Sequence, residues 1–127
     1  LASLLLSLAL PLGRRAVDRW TVRAVRDQAL AALHRTRMEA RLLGGAVLEV
    51  DGGRGVLTAR AADSVLWTRH DAGEAGVTIQ LPGGGERTSV TFDGLGLGVV
   101  ASRTLVFRRG GEEARLVISS RGRGARR

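Results

Sequence analysis

Two histidines and twelve carboxylates are the groups in this 127-residue chain that could move protons or hold a metal, and their placement argues against both. His34 and His70 lie in different segments, with no His-x-x-x-His or Gly-x-Ser-x-Gly pattern around them. Glu49, Asp51, Asp63, Asp71 and Glu74 are scattered, without the spacing that would fix a metal ion or pair a general acid with a base. The chain has no cysteine, so a thiolate nucleophile, a thiolate metal site and a disulfide are excluded; the compartment stays open, because exported proteins can lack disulfides. Two glycine clusters, Gly83 to Arg87 and Gly94 to Gly98, lack the Lys-Ser/Thr ending of a phosphate loop and do not open a helix, so they read as hairpin turns. An enzyme carried on an anchor finds no nucleophile, base and orienting group here. No catalytic, cofactor-binding or metal-binding residues are expected.

Bulk properties point to one ordered domain. Apolar residues make up 44% of the chain, but aromatics only 3% and tyrosine none, so the core must be built from Leu, Val, Ile and Ala. That scarcity also weakens any role in which bases stack on aromatic rings. Every basic residue is arginine, which reflects a genome rich in G and C. Charge is unevenly spread: residues 1–44 carry +5, residues 45–120 carry −1 and residues 121–127 carry +4. A uniformly basic nucleic-acid surface is therefore not indicated.

The element that must position everything else is N-terminal. Leu1 to Leu12 carry no charge, but twelve residues fall short of the roughly 20 that cross a hydrocarbon core. The sequence starts inside the apolar run and without Met, so an upstream portion is expected, and about ten more apolar residues would complete a span. A signal peptide fits poorly, because the run passes through Pro11 and Gly13 into Arg14 and Arg15 with no small-residue cleavage site. A buried core helix would have to be covered on all sides, since only Ser3 and Ser7 interrupt the leucines. The segment reads as part of a membrane helix, with Leu4, Leu5, Leu6, Leu8, Leu10 and Pro11 as its membrane and assembly residues; Pro11 is expected to kink it.

From Val17 to Leu43 the positions Val22, Val25, Ala29, Leu33, Thr36, Ala40 and Leu43 recur every three or four residues, which draws one stripe along a helix. Val22, Val25, Ala29, Leu33, Ala40 and Leu43 are the expected contacts with a sheet. The opposite face carries Arg19, Arg23, Arg26, Asp27, Arg35, Arg37, Glu39 and Arg41, a solvated surface with i,i+4 pairs such as Arg23 with Asp27. Trp20 suits the membrane interface. Gly44-Gly45 is a helix stop.

After Gly45 the period changes to two. Strands are expected at Ala46–Asp51, Val56–Arg60, Ser64–Arg69, Val77–Leu81, Thr88–Phe92, Arg103–Arg108 and Arg115–Ser119, separated by Gly-rich turns. Without a second strong helix, parallel βαβ units are ruled out. The fold class is α+β: a long helix, in a membrane half (1–13) and an amphipathic half (14–44), packed on a small antiparallel β domain (45–120). Residues 121–127 follow as a basic flexible tail, whose Arg121, Arg123, Arg126 and Arg127 could contact phosphates without reading bases.

This layout resembles the type IV pilins and pseudopilins. The helix text AVRDQALAALHRTRMEARLLGGAVLEV is similar to the stretch in GspH/FimT-type pseudopilins where the helix passes into the first strand. VTFDGLGLGV followed by RTLVFRRGGEEARLVISSRGRGARR is similar to that family's glycine turn, penultimate strand, final strand and tail. The family's prepilin cleavage site and the glutamate after it do not occur in this sequence. The resemblance implies a single-pass inner-membrane protein with a periplasmic domain, trimmed and methylated by a prepilin peptidase and assembled with other pseudopilins or pilins, without a cofactor. It points to a minor pseudopilin of a type II secretion system, near the filament tip and in contact with other subunits or a secreted substrate. The alternative is a minor type IV pilin that binds DNA through the basic tail during uptake. The related tail pattern is Gly-Arg-x-Arg, and here Gly122-Arg123-Gly124-Ala125-Arg126 is one residue out of step.

Overall fold

A computed structural model describes the backbone of residues 2–99 and 101–127, and the side chains from residue 12 onward apart from Pro82 and residue 100. A single helix, α1 (Ala2–Leu43), precedes everything else. It ends where the sequence supplies a residue that can turn left-handed: Gly44 has φ +84°, and its N–H closes the last turn on Ala40 O at 2.9 Å. Among the described residues no helix is long and apolar enough to cross a membrane. The proposed membrane and assembly residues Leu4, Leu5, Leu6, Leu8, Leu10 and Pro11 lie outside the described side chains.

The β region follows as β1 (Gly45–Asp51), β2 (Val56–Ala61), β3 (Ser64–Arg69), a one-turn helix α2 (Asp71–Glu74), β4 (Thr78–Gln80), a 3-10 turn (Pro82–Gly84), β5 (Arg87–Asp93), β6 (Gly98–Val99), β7 (Arg103–Arg109), β8 (Glu112–Ile118) and β9 (Gly124–Arg126). The α+β class and the long helix on antiparallel strands are as the sequence indicates. Among the described residues the strands form two sheets, ordered β3-β2-β1-β5-β6 and β4-β7-β8-β9, with every pairing antiparallel.

Strand alternation decides which side chains meet the helix. The first sheet turns Ala46, Leu48, Val50, Leu57, Ala59, Val90 and Phe92 inward; the second contributes Leu105, Phe107, Ala114, Leu116 and Ile118. Between them lies the α1 stripe of Val22, Val25, Ala29, Ala32, Leu33 and Ala40, all at most 5% exposed. Thr36, fully buried in the same stripe, satisfies its hydroxyl by donating to Ala32 O at 2.8 Å.

Two expectations need correction. Leu43 is 57% exposed and stands outside the core, because the helix ends there and Gly44 turns the chain back beneath it, so the last stripe position overhangs the sheet. Residues 121–127 are not a flexible tail. Gly124–Arg126 form β9 on β8, and Arg127 and Arg115 exchange both backbone hydrogen bonds at 2.9 and 3.0 Å. The β domain therefore extends to the end of β9. The cause lies in two glycines that compositional reading assigns to flexibility. A Cβ on Gly122 (φ +84°) would stand 2.4 Å from Phe92 Cε1, and one on Gly124 would stand 2.5 Å from Leu30 Cδ1 and 3.0 Å from Leu33 Cδ2. Each is a point of close approach that lets the segment lie on the core.

Candidate functional site

The surface that stands out is the side of α1 turned away from the sheets. Val17, Trp20, Met38 and Leu42 are 55%, 77%, 63% and 82% exposed, and Ala24 and Ala31 are exposed between them. Positions 17, 20, 24, 31, 38 and 42 are spaced by three, four or seven, so they form one stripe on the helix. It lies opposite the buried one. The helix thus carries a second apolar stripe, interrupted by Asp27, His34 and Arg35, whereas the sequence suggested one apolar and one charged face.

Four of the helix arginines, Arg19, Arg35, Arg37 and Arg41, reach the β domain. Arg37 Nε donates to Gly96 O at 3.2 Å and Arg41 Nε to Leu95 O at 3.3 Å. On the other flank Arg35 pairs with Glu39 at 3.0 Å and lies 4.8 Å from the centroid of the Trp67 ring, while Trp67 Nε1 donates to both Glu39 oxygens at 2.9 Å. Nearer the N-terminal end, Asp18 pairs with Arg109 at 3.1 Å and Arg19 with Glu112 at 3.6 Å, while Arg109 also donates to Thr21 Oγ1 at 3.2 Å. Exposed pairs of this kind are worth about 0–1 kcal/mol each, so they set the angle of the helix more than they stabilise it. The expected Arg23–Asp27 pair is replaced by Arg26–Asp27 at 3.2 Å and Arg126–Asp27 at 3.7 Å.

Of the four arginines assigned to phosphate contact, Arg121, Arg126 and Arg127 are exposed, as is Arg123, but the strand divides them between two faces. Arg126 is opposite the inward Leu116 and reaches the helix edge at Asp27. Arg127, by alternation, shares the outer face of the second sheet with Arg115, and Arg108 lies on that face beyond it. Arg123 sits opposite Ser119, whose N–H donates to Arg123 O at 2.8 Å. Arg121 turns toward the neighbouring sheet, its carbonyl accepting from Gly98 N–H at 2.8 Å. Glu113 is the carboxylate among the outer-face arginines. The hydrogen bond from Arg115 holds it below the ordinary carboxylate range, with Arg108 adding to the effect against an opposing cost of desolvation.

The outer face of the first sheet forms an open trough of about 810 Å³, lined by groups from four strands, among them Glu49, Asp51, Arg60 and Arg87, and by Arg54 and His70 from the adjoining connections. Sequence reading missed it because its members are far apart in the chain and meet only through the register Thr58↔Glu49↔Ser89. Both carboxylates are occupied: Glu49 pairs with Arg60 at 3.1 Å and Asp51 with Arg87 at 3.6 Å, while Asp51 Oδ1 also accepts from Arg54 N–H at 3.1 Å. Asp71 is likewise tied to Arg69 at 2.7 Å. All three carboxylates are thus already engaged by guanidinium groups. Among the described residues no three His, Cys, Asp or Glu side chains gather where they could hold a metal ion.

No known family profile matches the sequence, and no curated protein does. The folded chain is nevertheless similar to the type IV minor pilin FimU of Pseudomonas aeruginosa strain PAO1 in two crystal forms. In space group P21 the TM-score is 0.71 at 19% identity, over 86% of this chain and 90% of FimU. In space group P65 it is 0.66 at 18% identity, over 83% and 91%. The chain has a minor-pilin fold, with the long N-terminal helix packed on antiparallel sheets.

Proposed function

We propose that this chain is a structural subunit, a minor pseudopilin of a type II secretion system, that enters a periplasmic filament through its N-terminal helix. The observation that carries the reading is the uncovered apolar stripe of α1. A helix that only had to cover two sheets would need one apolar face, and a second left bare costs solubility without a partner. In sequence, the stripe begins at Val17, on the same helix as the uncharged run Leu1 to Leu12 and separated from it by Arg14 and Arg15. In lipid, where there is no water to expel, the uncharged run can exchange lipid contacts for close packing against neighbouring helices, and outside the membrane the stripe can extend the same helix–helix contact. The minor-pilin fold supports the same reading, because it sets a helix of this length against a compact head. In this role the chain is not an enzyme. It is anchored in the inner membrane by its apolar N-terminal segment with the β domain in the periplasm, is processed by a prepilin peptidase, and meets other pseudopilins and a secreted substrate. Fractionation of cells making the full protein should recover it in the inner membrane, released by detergent and not by alkaline carbonate. Recovery in the soluble fraction alone contradicts the proposal.

A minor type IV pilin that binds DNA is the second reading, favoured by Arg108, Arg115, Arg123 and Arg127 beside the carboxylate Glu113 on the outer face of the second sheet. Because β9 is part of the fold, deleting residues 121–127 would test stability and binding together. Arg123→Ala with Arg127→Ala separates them. If DNA is the ligand, a gel-shift titration across a salt series should show weaker binding to every duplex sequence, with the salt slope reduced by about 0.9 for each phosphate that is no longer neutralised. An unchanged titration removes this reading.

A further inference from the structure

The end of the domain farthest from the N-terminus exposes a cluster of apolar side chains that the helix stripe does not account for. Leu42 and Leu43 close α1, and Leu95, Leu97 and Val99 lie in and just after the turn that follows β5; each is 43–82% exposed. Strand register brings them to one pole. Gly45, one residue beyond the helix stop, is opposite Asp93 at the end of β5, and Arg41 Nε reaches Leu95 O in the turn that follows.

The leucine turn is held in place by polar groups. Asp93 Oδ1 accepts from Leu95 N–H at 2.9 Å and from Leu97 N–H at 3.0 Å, and Asp93 N–H donates to Leu97 O at 2.9 Å. Arg37 and Arg41 bind the carbonyls of Gly96 and Leu95 from the helix, while Gly98 N–H binds Arg121 O from the other sheet. Gly96, at φ +76°, allows this approach: a Cβ there would stand 2.6 Å from Arg41 Nε. Leucines displayed on a turn tied down from three sides bind at a low cost in conformational entropy, and exposed apolar patches on folded domains mark interaction sites.

The rim decides the partner. Arg37 and Arg41 border the leucine turn and the exposed Arg121 joins it through its backbone carbonyl, whereas Asp93 is engaged within the turn and Asp63 stands apart in the β2–β3 turn. A second copy would press arginine rim against arginine rim in a chain whose net charge is already +8. We infer that this pole docks a different protein, one that presents an apolar surface bordered by carboxylates. The inference goes beyond assembly through α1, since it uses the opposite end of the molecule and only Leu42 of the outward stripe.

Site-specific photo-crosslinking in cells that make the full protein tests it, with benzoylphenylalanine at Leu95 and, as a control, at the exposed Gln80 on β4. The expected result is an adduct from position 95 with one other polypeptide, mapping by mass spectrometry to an apolar segment flanked by Asp or Glu. That adduct should fall about tenfold with Leu97→Ser and again with Arg121→Glu, which reverses a rim charge without touching the turn's side-chain contacts. Thermal unfolding of both variants at the parental temperature shows that the decrease is not misfolding. An adduct with a second copy of this chain, a partner segment without acids, equal yield from Gln80, or no adduct would each overturn the inference.

Discussion

Replacing Gly122 by alanine is expected to destabilise the β domain by about 2–4 kcal/mol, the combined cost of an L-residue at positive φ and of overpacking a filled site. The residue sits at φ +84°, and its new Cβ would meet Phe92 Cε1 at 2.4 Å and Gly98 Cα at 3.2 Å. Phe92 cannot swing away, being 1% exposed between the sheet and the C-terminal segment. The expected outcome is a lower midpoint in urea with the slope unchanged, and release of β9 ahead of the rest as faster hydrogen exchange at Arg127 and Arg115. A flexible tail would give no change in either measurement.

The second large effect concerns the ring that Gly122 accommodates. Truncating Phe92 to alanine should cost about 3–5 kcal/mol, because the chain has few aromatic side chains and this one fills the junction of the first sheet with the C-terminal segment. The two substitutions are predicted to couple. With the ring gone, Gly122→Ala loses its worst clash and retains its backbone strain of about 1–3 kcal/mol and the tight approach to Gly98, so the double variant should be more stable than the sum of the singles predicts. Strict additivity in urea titrations would show that the ring and the glycine do not share a site.

How much was legible in the sequence follows from which signals are local. The period of 3.6 in Val22, Val25, Ala29, Leu33 and Ala40 and the period of two after Gly45 are properties of short windows, and the expected strands are found close to their bounds. Leu43 continued the pattern and still missed the core, because where a helix overhangs its sheet depends on the turn that follows. β9 was hidden by composition: Arg121 to Arg127 read as a solubilising tail, while its glycines answer to Phe92, Leu30 and Leu33, which lie far away in sequence. The division into two sheets rests likewise on non-local pairing, with β5 returning to β1 across the chain that forms β2 to β4. The outward stripe of α1 was present in the sequence but masked, since Val17, Trp20, Ala24, Ala31 and Met38 alternate with arginines that a two-faced reading assigns to solvent. Arg37 and Arg41 turn aside to hold Gly96 and Leu95, and Arg35 turns to Glu39, which leaves the apolar side chains of that stripe exposed.

The central claim is that this outer face joins the subunit to its neighbours, and the most direct measurement is the amount of the chain recovered in sheared filaments when Trp20 and Met38 are both replaced by glutamate. Both side chains are exposed in the isolated fold, so its stability should change by no more than about 0.5 kcal/mol at each position. The account predicts that the folded variant drops at least about tenfold in the filament fraction, as expected when charge is placed at the centre of a packed apolar contact. Recovery of the variant at the parental level would contradict it.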